Sequence, residues 1–216
     1  LDRAMAPAAG AICRHLAERR RGYQIKQDAE LARIAGTRHH GGIVAVTDAR
    51  RPSLPGAGEI DAWAAARLPV LVLDGVSNPH NFGAILRTAA FLGIEQVVLS
   101  ERAEQALPSP AAYRVAEGGI EFVALWRPPA LAGFLGRLGR RYRVIAASPR
   151  GRPLAGIGRD GRPVALVLGN EETGLSPGVE KTAAELVAIP GRGRIESLNV
   201  SVAAGILMYE LLASRG

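Results

Sequence analysis

Three polar stretches follow apolar runs in this chain, and their residue types suit the binding of an anion beside a small polar ligand. The first is Leu73 to Arg87, LDGVSNPHNFGAILR. It offers amides at Asn78 and Asn81 and a guanidinium at Arg87, whose planar fork of donors matches phosphate. The second is Leu166 to Gly174, LVLGNEETG, which adds the carboxylate of Glu171 and the amide of Asn170. The third is Ile189 to Leu212, IPGRGRIESLNVSVAAGILMYELL, in which Ser197, Asn199 and Ser201 enter an otherwise apolar helix. Each stretch also has a plainer reading. Arg87 can be a solvated surface residue, Leu166–Gly174 an ordinary strand exit, and Ser197 a helix cap with Asn199 bonding its own backbone. If the three converge, they supply a phosphate-binding Arg, a carboxylate, amides, hydroxyls and free backbone groups in one place.

Other chemistries are weakly represented. No G-x-G-x-x-G follows the first strand, and no G-x-x-x-x-G-K-[ST] is present, which weighs against dinucleotides and nucleoside triphosphates. His15, His39, His40 and His80 have no metal-ligand spacing, so no metal site is expected. The single cysteine, Cys13, makes no internal disulfide and fits a reducing, cytoplasmic compartment. The 216 residues are 48% apolar, without a signal-peptide pattern or a run long enough to cross a bilayer, so a soluble chain is expected. Net charge is +7, almost all of the cations being Arg, and a positive field attracts polyanions.

The elements that must position these groups can be read in order. Pro7–Arg20 reads as a helix ending in Arg19-Arg20-Arg21, residues 22–26 as a short strand, and Asp28 as the cap of a helix stopped by Gly36. His39–Val46 reads as a Gly-rich turn into a strand. These residues look like the back half of a small α/β domain, or else an extension packed on the main body. Residues Arg51–Gly58, RPSLPGAG, read as a linker, and Glu59–Arg67 as a helix. Strands are expected at Val70–Leu73, Gln96–Leu99, Phe122–Leu125, Arg143–Ala147, Val164–Leu168 and Leu186–Ile189. Helices are expected at Asn81–Leu92, Ala111–Glu117, Ala130–Arg140 and Pro177–Ala184. Continuous apolar runs such as VLVL and VALVL indicate strands buried on both faces, hence an α/β protein with a mostly parallel sheet. Asn81 would cap its helix. Arg87 would lie roughly 140° round from Phe82 and so point away from the apolar stripe of Phe82, Ile85, Leu86 and Ala89. The final helix, apolar nearly all round from Leu198, would be buried on most sides.

The three stretches resemble the three signature motifs of the SpoU/TrmH branch of the SPOUT RNA methyltransferases. The first is carried by Asn78-Pro79-His80-Asn81 and Arg87. The second is carried by Gly169-Asn170-Glu171-Glu172-Thr173-Gly174-Leu175-Ser176. The third is carried by Ile189-Pro190, Gly193, Ser197-Leu198-Asn199-Val200-Ser201 and Ala203. The likeness covers roughly Pro69 to the C-terminus. His39–Val46 also resembles the last strand of the family's small L30e-like RNA-binding domain, and the Glu117-Gly118-Gly119 variant marks a divergent subgroup. The resemblance implies a partial L30e-like domain over residues 1–50, a linker over 51–68, and a SPOUT domain with a C-terminal trefoil knot over 69–216. It implies S-adenosyl-L-methionine as cofactor, a homodimer, and methyl transfer to a ribose 2′-hydroxyl of ribosomal or transfer RNA. Carried over by position, Asn81, Arg87, Glu171, Ser197 and Asn199 would line the catalytic site. Leu168, Gly169, Asn170, Ile189, Gly193, Ser197 and Leu198 would contact the cofactor. Because Arg stays protonated, Arg87 is read as the holder of an RNA phosphate rather than as a base. Two other readings compete: a non-catalytic RNA-binding paralogue that keeps the fold, and an α/β enzyme acting on a small anionic metabolite.

Overall fold

The computed structural model describes residues 1–48, 50–56, 58–158, 160–195 and 197–213; Ala57 of the expected linker lies outside them. The chain divides into two compact units, Leu1–Asp48 and Ala49–Gly216.

The first unit contains α1 (Gly10–Glu18) and α2 (Asp28–Ala35). Gly36, left-handed at φ 65°, ends α2 as expected, but the N-cap position falls on Gln27 rather than Asp28. The two strands expected at 22–26 and 43–46 do not form. Neither segment finds a ladder partner; instead the Lys26 N–H bonds the Leu1 carbonyl and the Asp2 N–H bonds that of Gly42. Only Ala9 and Leu31 are buried apolar residues among those described in this unit, while Ile12, Tyr23, Ile25, Ile34 and Ile43 are exposed.

The second unit is built on a six-stranded, wholly parallel sheet. Its elements are α3 (Glu59–Ala65), β1 (Val70–Asp74), α4 (Pro79–Phe91), β2 (Gln96–Leu99), α5 (Pro110–Ala116), β3 (Ala124–Trp126), α6 (Leu131–Leu138), β4 (Arg143–Pro153), β5 (Val164–Gly169), α7 (Pro177–Glu180), β6 (Glu185–Ala188) and α8 (Val200–Met208). The strand order is β3-β2-β1-β5-β4-β6. Side chains alternate across each strand. Leu71, Leu73, Leu166 and Leu168 therefore meet α4, α5 and α8 on one face. Val70, Val72, Ala165 and Val167 meet Trp63 of α3, Phe134 of α6 and Val179 of α7 on the other. The stretch before α3 adds a parallel bridge from Ser53 to Trp126.

Several elements differ from expectation; α7, read over Pro177–Ala184, stops at Glu180. β3 begins at Ala124 because residues Gly119–Phe122 form a 3-10 turn, which leaves Phe122 on the surface. β4 runs six residues further than read, past an irregularity between Ala147 and Arg152, with Gly151 packed on the backbone of Val187. α8 begins at Val200 and is buried on one side only, through Ala204, Leu207 and Met208. A single chain offers this helix one packing face, so Val202 and Ile206 reach solvent. A π-helical turn, Tyr209–Ala213, continues it. Among the described residues no helix is long and apolar enough to cross a membrane.

Candidate active site

The site lies where β1 and β5 end side by side, Asp74 pairing with Gly169 in the ladder. Asp74 is 1% exposed, and a buried carboxylate must find donors. Its Oδ2 accepts the Ser176 N–H at 2.6 Å, and the Arg102 guanidinium lies 3.8 Å from Oδ1. Arg102 also donates to the Asp74 carbonyl (3.2 Å), the Gly174 carbonyl (3.4 Å) and Thr173 Oγ1 (3.0 Å). It thereby ties the exit of β1 to the loop after β5. Nothing in the sequence around Glu101-Arg102 signals this role; the partners are more than 70 residues apart or come from another strand end.

That loop closes on itself. Asn170 and Gly174 exchange backbone hydrogen bonds of 3.0 Å in both directions. The Asn170 Oδ1 accepts the N–H groups of Glu172 and Thr173, both at 2.9 Å, and its Nδ2 donates to the Gly75 carbonyl at 2.7 Å. This is an Asx-type turn. Gly169 is required beneath it, since a Cβ there would lie 2.5 Å from the Gly174 carbonyl carbon and 2.6 Å from the Leu175 nitrogen.

The start of α4 corrects one expectation. Asn78, not Asn81, is the cap: its side chain accepts the N–H groups of His80 (2.8 Å) and Asn81 (3.3 Å). Pro79 is well suited to the first helical position, so the helix starts earlier than read. This frees the Asn81 side chain, whose Nδ2 donates to Glu171 Oε1 at 2.9 Å. A second correction follows at α8. Asn199, not Ser197, caps that helix, accepting from the Ser201 N–H at 2.8 Å and the Ser201 hydroxyl at 2.6 Å. Its Nδ2 donates to Asn81 Oδ1 at 3.0 Å. The result is a one-way chain of donors: Ser201 to Asn199, Asn199 to Asn81, Asn81 to Glu171.

A chain with that polarity must end on an acceptor. Ionised, Glu171 offers only acceptor lone pairs and suits that end. Besides Asn81 it accepts the Ser77 N–H (3.0 Å), the Ser77 hydroxyl (3.2 Å) and the Asn78 N–H (3.3 Å). Partial burial pushes the Glu171 carboxyl upward, but the bonds from Asn81, Ser77 and Asn78 outweigh it and hold the group below its ordinary 4.5. Four donors use up the lone pairs of a carboxylate, so Glu171 orders the three loops and has little capacity left to take a proton. The linkage has a definite sign. A carboxyl depressed by folding adds stability above its unfolded value and loses it as pH falls through the folded value. Wild type should therefore melt above Glu171→Gln at pH 7, and the gap should close on acidification below 4.5. Thermal melts of both proteins across that range check it; a gap independent of pH would refute the ionised-acceptor role.

Arg87 stands apart from this chain. It follows Asn81 on α4 by about 9 Å along the axis and about 120° round it. Its side chain is 56% exposed and pairs with Glu117 at 2.9 Å. Leu168 is buried at the end of β5, and Gly169 and Asn170 are partly covered. Ile189 is also partly covered, whereas Gly193, Ser197 and Leu198 lie exposed in the segment leading to α8. So the fold joins Asn81, Glu171 and Asn199 directly, sets Arg87 nearby on the same helix as Asn81, and leaves Ser197 and Gly193 on an open loop.

Fold and site together define an α/β protein with a polar side-chain cluster at the carboxyl ends of its strands, where such sheets place their ligands. The family model of the SpoU rRNA Methylase family matches residues 69–209. The 23S rRNA (guanosine-2′-O-)-methyltransferase RlmB of Acinetobacter baylyi is 36% identical over 193 residues, covering 86% of this chain and 75% of its own. YfiF of Escherichia coli O157:H7, an uncharacterised tRNA/rRNA methyltransferase, is 35% identical over 202 residues, covering 91% of this chain; the chain spans 56% of its length. Among solved structures, the AdoMet-bound rRNA methyltransferase of Sinorhizobium meliloti superposes with a TM-score of 0.59 at 29% identity, over 67% of this chain and 55% of that one. The chain belongs to the SpoU rRNA methylase family.

Proposed function

We propose that this chain transfers the methyl group of S-adenosyl-L-methionine to a ribose 2′-hydroxyl of RNA. The observation that carries the reading is the bonded chain Asn199–Asn81–Glu171, which draws residues from all three polar stretches into one place. Relatives named as rRNA 2′-O-methyltransferases support it.

The residues present fit the cofactor. Residues 190–195, 197 and 198 are exposed, Leu198 by half, with open space at Gly191 and Gly193. Such a surface suits an adenosyl group held by backbone donors and apolar contact. Leu168, Gly169, Asn170, Ile189, Gly193, Ser197 and Leu198 would hold it, within a knotted arrangement of the two loops. When bound, the sulfonium supplies an already activated methyl group. The protein's own task is then placement and proton management. Arg87 holds an RNA phosphate, favouring ionisation of the nearby hydroxyl, and a phosphate oxygen takes the proton. Asn81, Glu171 and Asn199 keep the loops in register, and Ser197 lines the site.

The chain works as a homodimer in this reading. Val202 and Ile206 of α8, with Leu198 just before it and Tyr209 in the turn that continues it, are exposed apolar residues. Leu1–Asp48 serves as part of an L30e-like RNA-binding domain, with Arg19-Arg20-Arg21 as a basic patch.

One experiment tests the reading. The purified chain is titrated calorimetrically with S-adenosylmethionine, sized by sedimentation, and incubated with total RNA and methyl-labelled cofactor, after which nucleosides are separated by mass. Cofactor binding, a dimer and 2′-O-methyl nucleosides are expected. Cofactor binding without transfer would favour the RNA-binding paralogue. Failure to bind RNA together with binding of a small phosphate ester would favour the metabolite enzyme.

A further inference from the structure

The connection between α5 and β3 presses an acid against Arg87. α5 ends on Glu117, which is left-handed at φ 44° and ψ 47°, and Gly118 follows at φ 86°. Glycine or asparagine normally occupies such a helix end, because a Cβ is strained there. The next residue, Gly119, sits so close to α4 that a Cβ would lie 2.8 Å from the Arg87 Cα. The turn is thus seated on the part of α4 that bears Arg87, and it directs the Glu117 Oε2 to 2.9 Å from Arg87 Nη2.

Stability does not account for this arrangement. Both side chains are exposed, 56% and 63%, and an exposed ion pair adds little to folding while the backbone of Glu117 is strained. Orientation accounts for it better. A free Arg side chain samples many rotamers, and fixing it has an entropic cost. Held through one Nη2 hydrogen by a carboxylate, the guanidinium keeps its other N–H donors, and the remaining two-donor edge is open to a phosphate.

We propose that Glu117 is a positioning residue that presets the Arg87 guanidinium for the RNA phosphate beside the reacting ribose. The proposal rests on the methyl-transfer reading. It also implies an opposition: a carboxylate near the RNA backbone weakens RNA binding electrostatically while it raises turnover.

The test uses the whole chain, S-adenosylmethionine and total RNA, with kcat and apparent KM measured for wild type, Glu117→Gln and Glu117→Gly. Both variants should lose about 10- to 100-fold in kcat, the scale of a misplaced group, with apparent KM for RNA unchanged or lower. Glu117→Gly should also relieve the backbone and raise Tm by about 2–4 °C. A more stable protein that turns over more slowly is the signature of positioning; a purely structural residue would not produce it. With an active wild type, kcat within twofold in both variants would overturn the proposal. A higher kcat in Glu117→Gln would overturn it too, since the acid would then be restraining Arg87 from RNA. A wild type that methylates no RNA would overturn the methyl-transfer reading, and this proposal with it.

Discussion

Arg87→Ala is expected to lower methyl transfer to RNA by about 10²–10⁴-fold, the range seen when a group that stabilises developing charge or manages a proton is removed. Folding should hardly change, because the Arg87 side chain is more than half exposed and its ion pair with Glu117 is exposed as well. Cofactor affinity should be retained, since Arg87 lies outside the loops that follow β5 and β6. The measurement is kcat with total RNA beside calorimetric titration of S-adenosylmethionine and a thermal melt. Arg87→Lys separates charge from geometry. Lysine keeps the charge but is a point donor without the planar fork, so partial recovery is expected. Full activity in the lysine variant would sink the phosphate-holding role.

The second large effect is expected at Gly169. A methyl group there meets the carbonyl carbon of Gly174 at 2.5 Å, the Leu175 nitrogen at 2.6 Å and the Gly174 oxygen at 2.8 Å. These are backbone atoms of a closed turn and cannot swing aside as a side-chain tip would. Gly169→Ala must displace the loop, and with it the Asn170–Gly174 pair, the Ser176 bond to buried Asp74 and the carboxylate of Glu171. Overpacking of this kind costs about 1–3 kcal/mol, which in a chain of this size lowers Tm by about 2–4 °C for each kcal/mol. Cofactor affinity should fall at least about tenfold, the equivalent of 1.4 kcal/mol. Gly133→Ala on α6, away from the site, is the control, because no atom lies within 4 Å of a Cβ there. Melting curves and calorimetry of the two variants check both statements. Unchanged cofactor affinity in Gly169→Ala would remove the loop after β5 from the cofactor site.

The physical basis of the two effects differs, and so does how far each was visible beforehand. Arg87 could be placed from spacing alone. The helical repeat turns it away from Phe82, and Phe82 is indeed fully buried while Arg87 faces solvent. The parallel sheet was equally legible, because strands covered on both faces read as unbroken apolar runs. Those are local or periodic properties, and they repeat in every residue of an element.

Caps and strands with distant or missing partners were less legible. Asn81 and Ser197 are good capping residues by type, yet Asn78 and Asn199 do the capping, because each helix start is settled by Pro79 or by the polar chain across the site. Residues 22–26 and 43–46 have strand-like composition but form no ladder among the described residues, and a strand is a two-body object. The exposed side of α8 came out the same way: its apolar pattern was plain, and the number of faces available to cover it was not.

Local pattern, then, determined most elements of the second unit, their order, the parallel sheet and the residue types assembled at its carboxyl edge. Tertiary structure decided which of those residues meet. The donor chain from Asn199 through Asn81 to Glu171 spans positions up to 118 residues apart. Arg102 reaches both strand ends, and Glu117 reaches Arg87. A hydrogen bond requires two heavy atoms within about 3 Å, in a suitable direction, and no one-dimensional spacing rule encodes that distance between segments brought together only by the folded sheet.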